Sequence, residues 1–237
     1  MAARWNTERA MTPAHLSVVI PALNEAAGIS ATLQALAPMA ARGAQLLVAD
    51  GGSVDGTATL AQAGGAQVVH GPRSRALQMN AGAQKANGGI LLFLHADTRL
   101  PPEADRMIAQ ALANGPQVWG RFDVCIEGRP RMLRVIAAFM NWRSRLTGIA
   151  TGDQALFMTR AAFDAVGGFP VQPLMEDIEM STRLLKISRP ACLRARVITS
   201  GRRWETQGVW RTVLLMWRLR LAYWRGTAPE RLAALYQ

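Results

Sequence analysis

Hydrophobic residues in this chain gather into short unbroken runs separated by longer amphipathic stretches. The runs at 16–21, 45–49 and 90–94, with a weaker one at 66–70, have the length and Val/Leu/Ile content of strands buried on both faces of a sheet. Between and after them the spacing predicts helices near 28–40, 56–63, 74–87 and 102–113. Strands and helices alternating in this way imply an α/β domain with a mostly parallel central sheet, flanking helices and right-handed crossovers. The order then loosens: a strand at 117–124, an amphipathic helix at 131–146, a strand at 155–159, a short helix from 160, a helix at 176–187 and a strand at 192–199. No internal repeat or linker interrupts the pattern. The organisation expected is a flexible N-terminus at 1–15, one domain over 16–204, and an amphipathic helical tail over 205–237.

Three of the strand runs end in polar residues. The run at 90–94 gives way to His95, Ala96, Asp97 and Thr98, and the run at 45–49 ends on Asp50 before Gly51, Gly52, Ser53, Asp55 and Gly56. The first run closes with Pro21 and is followed by Asn24 and Glu25. In open α/β sheets, ligands bind beyond the carboxyl ends of the strands, so Asp97 is either a ligand-side carboxylate or the cap of the helix that begins near Pro101. A core needs none of these carboxylates, and one shared pocket accounts for them better than three separate caps. The segment 71–82 also follows a strand and opens a helix, which brings Arg73 and Arg75 to the same edge. Cations and free amides there suit a diphosphate, the alternative being a solvated loop. Asn80 and Gly82 belong either to that site or to the packing of a helix on the sheet.

The composition narrows the function classes. Of 237 residues, half are hydrophobic, which excludes wholesale disorder and allows a sizeable core. Cys125 and Cys192 give neither a disulfide framework nor metal-site spacing and read as buried strand thiols. The first dozen residues lack an apolar signal-peptide core, so a cytoplasmic protein is expected. With 27 Lys and Arg against 16 Asp and Glu, the formal charge is +11. There is no basic low-complexity tail, zinc-finger spacing or aromatic RNA-binding signature, so nucleic acid is not the expected partner. The arginines cluster after Arg129 and again after Arg183, the last group interleaved with tryptophan, which suits a phosphorylated substrate or an anionic membrane surface.

As an ordered set, residues 19–25, 48–57, 80–82 with Gly88, and 93–97 closely resemble the inverting family 2 glycosyltransferases. The likeness continues through 152–155, 163–169 and Glu176-Asp177-Ile178-Glu179, and Ser200-Gly201-Arg202-Arg203-Trp204 is similar to an Arg-Trp element of that family; in all it covers about 16–204. The resemblance implies a nucleotide-diphospho-sugar transferase fold and transfer of a sugar to an acceptor hydroxyl. On the donor side it implies Pro21, Asn24, Glu25, Asp50, Gly51, Arg73, Arg75, Asn80, Ala96 and Asp97, with Asp50 on the base and Asp97 holding Mg2+ or Mn2+ on the diphosphate. A hard divalent ion shared with substrate phosphates needs few protein oxygens. His95 stands where the family has the first acid of its Asp-X-Asp motif, and imidazole is a softer ligand. Gly152, Asp153, Glu176, Arg202, Arg203 and Trp204 fall on the acceptor or diphosphate side, and Asp177 is the expected base. On the residues alone, Glu176, Asp177 and Glu179 also read as acids favouring a helix dipole.

The tail carries Trp210, Trp217, Tyr223 and Trp224 among Arg211, Arg218, Arg220 and Arg225. The arginines leave no run of about 20 uncharged residues to span a bilayer. An interfacial helix on the cytoplasmic face of the inner membrane, serving a lipid-linked acceptor, and a helix packed on the domain or on a second subunit as a homodimer are the two expectations. A nucleotidyltransferase is an alternative enzyme class, although the glycine-rich phosphate signature it needs after the first strand is missing; a membrane-surface binding module is the non-enzymatic alternative.

Overall fold

The structure is a computed structural model that describes residues 16–113 and 115–236. The loose terminus expected at 1–15 lies outside the described residues. β1 (Leu16–Ala22), β2 (Gln45–Asp50), β3 (Gln67–His70) and β4 (Ile90–Phe93) run parallel, connected by α1 (Ala26–Ala41), α2 (Thr57–Ala63) and α3 (Arg75–Lys85). Then come β5 (Thr98–Arg99), α4 (Ala104–Ala113), β6 (Trp119–Glu127), α5 (Met132–Thr147), β7 (Leu156–Thr159), α6 (Arg160–Ala165), α7 (Glu176–Leu185) and β8 (Ala191–Ser200). The chain closes with α8 (Arg202–Gln207), α9 (Val209–Trp224) and α10 (Pro229–Tyr236).

All eight strands join one sheet in the order β3-β2-β1-β4-β7-β6-β8-β5. The β3-to-β4 half is parallel, as the alternation predicts. The other half is mixed, because β7 starts from a 3-10 turn (Gly152–Gln154) and pairs antiparallel with both β4 and β6. β6 and β8 pair parallel. The carboxyl ends of β1, β4, β6 and β8 and the start of β7 therefore share one edge.

Alternation along the central strands separates two cores. Val18, Ile20 and Leu92 face α1, α4 and α5, whereas Val19, Leu91 and Phe93 face α3, α6 and α7. Each such Leu, Ile or Phe contributes about 1.5–3 kcal/mol on burial. α3 sits close to the sheet because Gly82 faces Val19, where a Cβ would collide with the valine methyls. A third, smaller cluster of Met175, Leu219 and Leu232 packs α9 and α10 against the start of α7.

Three expectations need adjustment. Arg202, Arg203 and Trp204, expected at a strand end, form the first turn of α8. The tail is three helices, interrupted at Gly208 (φ 84°) and Gly226 (φ 85°), both in conformations that favour glycine. The two cysteines lie in β6 and β8 as expected, but both are only partly buried; beyond β8 the sheet offers only the two-residue β5.

A buried ion cluster fastens α5 to β6. Arg121, fully buried, donates to Asp123, to Ser144 Oγ (3.0 Å) and to the Asn141 carbonyl (3.1 Å), and Arg145 donates to Asp123 from the other side. Removing the shared carboxylate leaves a buried cation uncompensated. Asp123→Ala is expected to lower stability by about 3–5 kcal/mol, whereas Arg99→Ala, in the exposed Arg99–Glu127 pair, changes it by about 1 kcal/mol or less. Urea midpoints of the two variants measure the difference.

Candidate active site

The chain leaves β1 for β2 and β3, then returns to β4 on the other side of β1. Ligands settle at such a reversal, beyond the carboxyl ends of the two diverging strands. The loop after β1 carries Asn24 and Glu25; the loop after β4 carries His95, Ala96 and Asp97. The first loop is braced by the loop after β2: Ser53 Oγ accepts from the Asn24 N–H (2.9 Å), Thr57 Oγ1 from Glu25 N–H (2.8 Å) and Asp55 Oδ2 from Ala26 N–H (3.0 Å). Asn24 Oδ1 answers by accepting from Val54 N–H at 3.0 Å.

A cavity of about 620 Å³ lies over this edge, lined by Pro21, Glu25, Arg75, His95, Ala96 and Asp97 on one side and by Gly152, Asp153, Glu176, Asp177, Arg202, Arg203 and Trp204 on the other. A second cavity, also about 620 Å³, adjoins it through Pro21, Glu25 and Arg75 and adds Arg73. Both volumes lie in the usual range for small-molecule sites. Burial raises the Glu25 pKa, and the Asp97 charge raises it further, against Arg202. Two carboxylates, Glu25 and Asp97, thus face the cavity at this end.

The opposite wall is organised by the 3-10 turn. Its Gly152 N–H donates to Asp177 Oδ2 at 2.9 Å, and Ile178 N–H donates to Oδ1 at 2.7 Å. Asp177 thereby stands at the head of α7 with its carboxylate held toward the cavity. The His95 ring lies against Gly152 where any Cβ would collide with it, and its Nδ1 is 3.3 Å from Asp153 Oδ1. Burial raises the Asp153 pKa, but His95, Arg75 and Arg220 together outweigh it and hold the carboxyl below its ordinary value. Glu176 is buried and 3.5 Å from Arg75 Nη1; burial and the Asp177 charge raise its pKa despite that arginine. Met175 (φ 65°), which lines the cavity, and Asn24 (φ 54°) and Ala155 (φ 49°), which stand outside its lining next to Glu25 and close to Asp153, adopt left-handed conformations, as does Glu103 (φ 56°) ahead of α4.

The remaining expected residues stand outside both cavities. Asp50 is buried, accepts from the N–H groups of Gly52 and Ser53 (3.1 Å each) and lies 3.7 Å from His70 Nδ1. Gly51 makes room for Gln78, whose Nε2 donates to the Ala22 carbonyl at 2.7 Å. Asn80 pairs with both backbone groups of Phe169 (2.8 and 2.9 Å), so it fixes the segment after α6. Two lining residues are also tied into the tail: the Arg203 guanidinium lies 3.7 Å over the Tyr236 ring, and Trp204 packs on the core.

Arg143 on α5 and Arg220 on α9 also line the cavity, and the sequence reading missed both as site residues. The signal was present in the periodicity. Arg143 continues the stripe Met132-Ile136-Met140, and Arg220 the stripe Val213-Met216; each is a cation where a helix face is otherwise apolar.

Comparison with known proteins agrees with this geometry. Residues 17–167 match Glycosyl transferase family 2. An uncharacterized glycosyltransferase of Mycobacterium tuberculosis is 27% identical over 184 residues, which are 73% of this chain and 83% of that protein. In fold, the chain is similar to Staphylococcus aureus TarS 1–349 (TM-score 0.63, 16% identity), covering 79% of this chain but only 60% of that one. It is similar also to the mannosyltransferase PcManGT of Pyrobaculum calidifontis, solved with GDP-Man and Mn2+ (TM-score 0.63, 20% identity, 95% of this chain and 70% of that one). A third likeness is to glucosyl-3-phosphoglycerate synthase of M. tuberculosis with Mn2+, UDP and glucosyl-3-phosphoglycerate (TM-score 0.58, 20% identity, 78% and 71%).

The raised Glu176 pKa carries a stability consequence. Above the ordinary glutamate value of 4.5 the folded state binds this proton more tightly than the unfolded chain, so stability falls as pH rises toward the folded pKa. Glu176→Gln removes that penalty. The variant is expected to melt above the parent at pH 7–8 and to converge with it below pH 4, in thermal unfolding across that range.

Proposed function

The chain belongs to glycosyl transferase family 2 and is a glycosyltransferase, and from that premise we propose that it moves a sugar from a nucleotide-diphosphate donor to an acceptor hydroxyl with inversion, using a divalent metal. The membership sets aside the nucleotidyltransferase and the purely membrane-binding alternatives. The observation that carries the proposal is the Asp177 carboxylate, fixed by the Gly152 amide across one cavity from Asp97. An inverting displacement needs a base on one side of the sugar and charge neutralisation on the other.

Among the described residues, no three His, Cys, Asp or Glu side chains converge as a metal cage. The residues present nonetheless fit a hard ion held jointly with substrate phosphates, because Glu25 and Asp97 bring two carboxylates to the same cavity. Asp97 would hold Mg2+ or Mn2+, and the ion when bound would neutralise charge on the departing diphosphate. Arg75, at the junction of the two cavities, and Arg73, in the second, are the cations placed to steady that diphosphate. Asp177 takes the proton from the acceptor hydroxyl, and the Gly152 N–H orients it to do so. His95, paired with Asp153, supports the turn that carries Gly152 and leaves the metal to Asp97. Donors of the kind bound by the structural neighbours, UDP-glucose and GDP-mannose, fit this assignment.

No helix among the described residues is long and apolar enough to cross a membrane. The exposed arginines and aromatic residues of α9 support peripheral attachment to an anionic surface instead.

Asp177→Asn should lower turnover by about 100-fold or more while leaving donor affinity intact; turnover within a few-fold of the parent moves the base to Glu176 or Asp153. Asp97→Asn should weaken Mn2+-dependent binding of UDP or GDP at least tenfold, about 1.4 kcal/mol. Calorimetric titration with and without Mn2+ measures this, and unchanged curves remove Asp97 from the metal site.

A further inference from the structure

The acceptor end of the cavity is built unlike the donor end. It runs between α5 and α9, with Ile136, Met140, Val213 and Met216 in its walls. It opens where Phe139 and Trp217 stack, centroids 6.2 Å apart. From that mouth two apolar stripes continue over exposed surface: Val135, Phe139, Trp142 and Leu146 on α5, and Trp210, Leu214, Trp217, Leu221 and Trp224 on α9. Both keep the three- and four-residue spacing of a single helix face. Contiguous apolar surface of this kind marks a binding site. Neither helix contains an acidic residue, and Arg134, Arg211, Arg218 and Arg225 are exposed alongside the stripes. The surface is thus complementary to an apolar layer with anionic groups at its boundary.

Where this groove meets Asp177 it holds Arg143 and Arg220. Nε and Nη2 of Arg143 are sealed from solvent with no hydrogen-bond partner, and neither guanidinium belongs to an ion pair among the described residues. The two cations are close enough that Arg220 adds to the effect of burial on Arg143, whose pKa falls to about 10. Burial lowers Arg220 as well, against the charges of Asp177 and Asp153. Two desolvated guanidiniums side by side are unfavourable alone, and a bound oxyanion satisfies both.

From outside inward the order is apolar groove, paired arginines, carboxylate base. We propose that the acceptor is a membrane phospholipid with a hydroxylated headgroup. Its chains lie in the α5–α9 groove, its phosphate on Arg143 and Arg220, and its headgroup hydroxyl at Asp177. This rests on the function proposed above. The headgroup hydroxyl gives its proton to Asp177, its oxygen bonds to the anomeric carbon of the donor sugar, and the bond from that carbon to the diphosphate breaks, the electron pair leaving with the nucleoside diphosphate.

Titration of the whole protein with dihexanoyl phosphatidylglycerol below its micellar concentration tests the assignment without needing the native donor. Saturable binding is expected, with glycerol 3-phosphate (no chains) and dihexanoylglycerol (no phosphate) each at least tenfold weaker. The double variant Arg143→Met, Arg220→Met should lose at least tenfold toward phosphatidylglycerol and nothing toward dihexanoylglycerol; Trp217→Ser should weaken both lipids. Thermal unfolding and Mn2+-dependent UDP or GDP binding are followed for every variant, so that misfolding is separated from loss of a contact. Equal binding of glycerol 3-phosphate, equal binding of dihexanoylglycerol, no lipid binding at all, or sedimentation showing the stripes covered by a second copy of the chain would each overturn the proposal. If nucleotide binding persists, only the acceptor assignment falls; if the parent protein binds no nucleotide, the function reading falls with it.

Discussion

The hydrogen bond from Gly152 N–H to Asp177 Oδ2 couples the two halves of the molecule. One side of the cavity is supplied by the β1 and β4 loops, a product of the parallel half of the sheet. The other is supplied by α7, a helix that follows β7 and α6. The 3-10 turn touches both: Gly152 lacks a side chain, so the His95 ring can lie against it, and its amide reaches Asp177. Any larger residue at 152 displaces either the histidine or the turn. The geometry of the proposed catalytic wall therefore depends on a glycine that contributes no functional side chain of its own.

Much of this was legible in the sequence, because the signals were local. Runs such as Ile90–Phe93 are buried on both faces, so they are apolar without interruption. The elements of the parallel half appeared within a few residues of their observed bounds, and the carboxylates after them were read as one edge. What stayed hidden was non-local. The sequence did not reveal that β7 would run antiparallel, since its direction follows from where the 3-10 turn enters the sheet. Nor did it reveal the Arg121–Asp123–Arg145 cluster, which forms only when α5 packs on β6.

Several residues prominent in the sequence pattern turn out to act as braces. Ser53, Asp55 and Thr57 hold the loop that presents Glu25, and Asn80 holds the backbone of Phe169. Asp50 spends its oxygens on its own turn. A characteristic spacing can thus be required for the shape of the site without each residue touching a ligand. The converse holds for Arg143 and Arg220, which carry no motif and sit on helices whose apolar periodicity masks them.

The strand order has a consequence for how the molecule assembles. β1 to β4 close on one another within residues 16–93, whereas Thr98 meets its partner Thr199 only across 101 positions of chain. Loop closure on that scale is slow compared with pairing of near neighbours in sequence. During synthesis β1 to β4 can pair with one another long before β8 emerges to cover β6. Until then the nine residues of β6 present an unpaired outer edge, the kind of template on which chains aggregate. The mixed half of the sheet, which carries the Gly152–Asp177 wall of the cavity, is therefore also the half most exposed to misassembly.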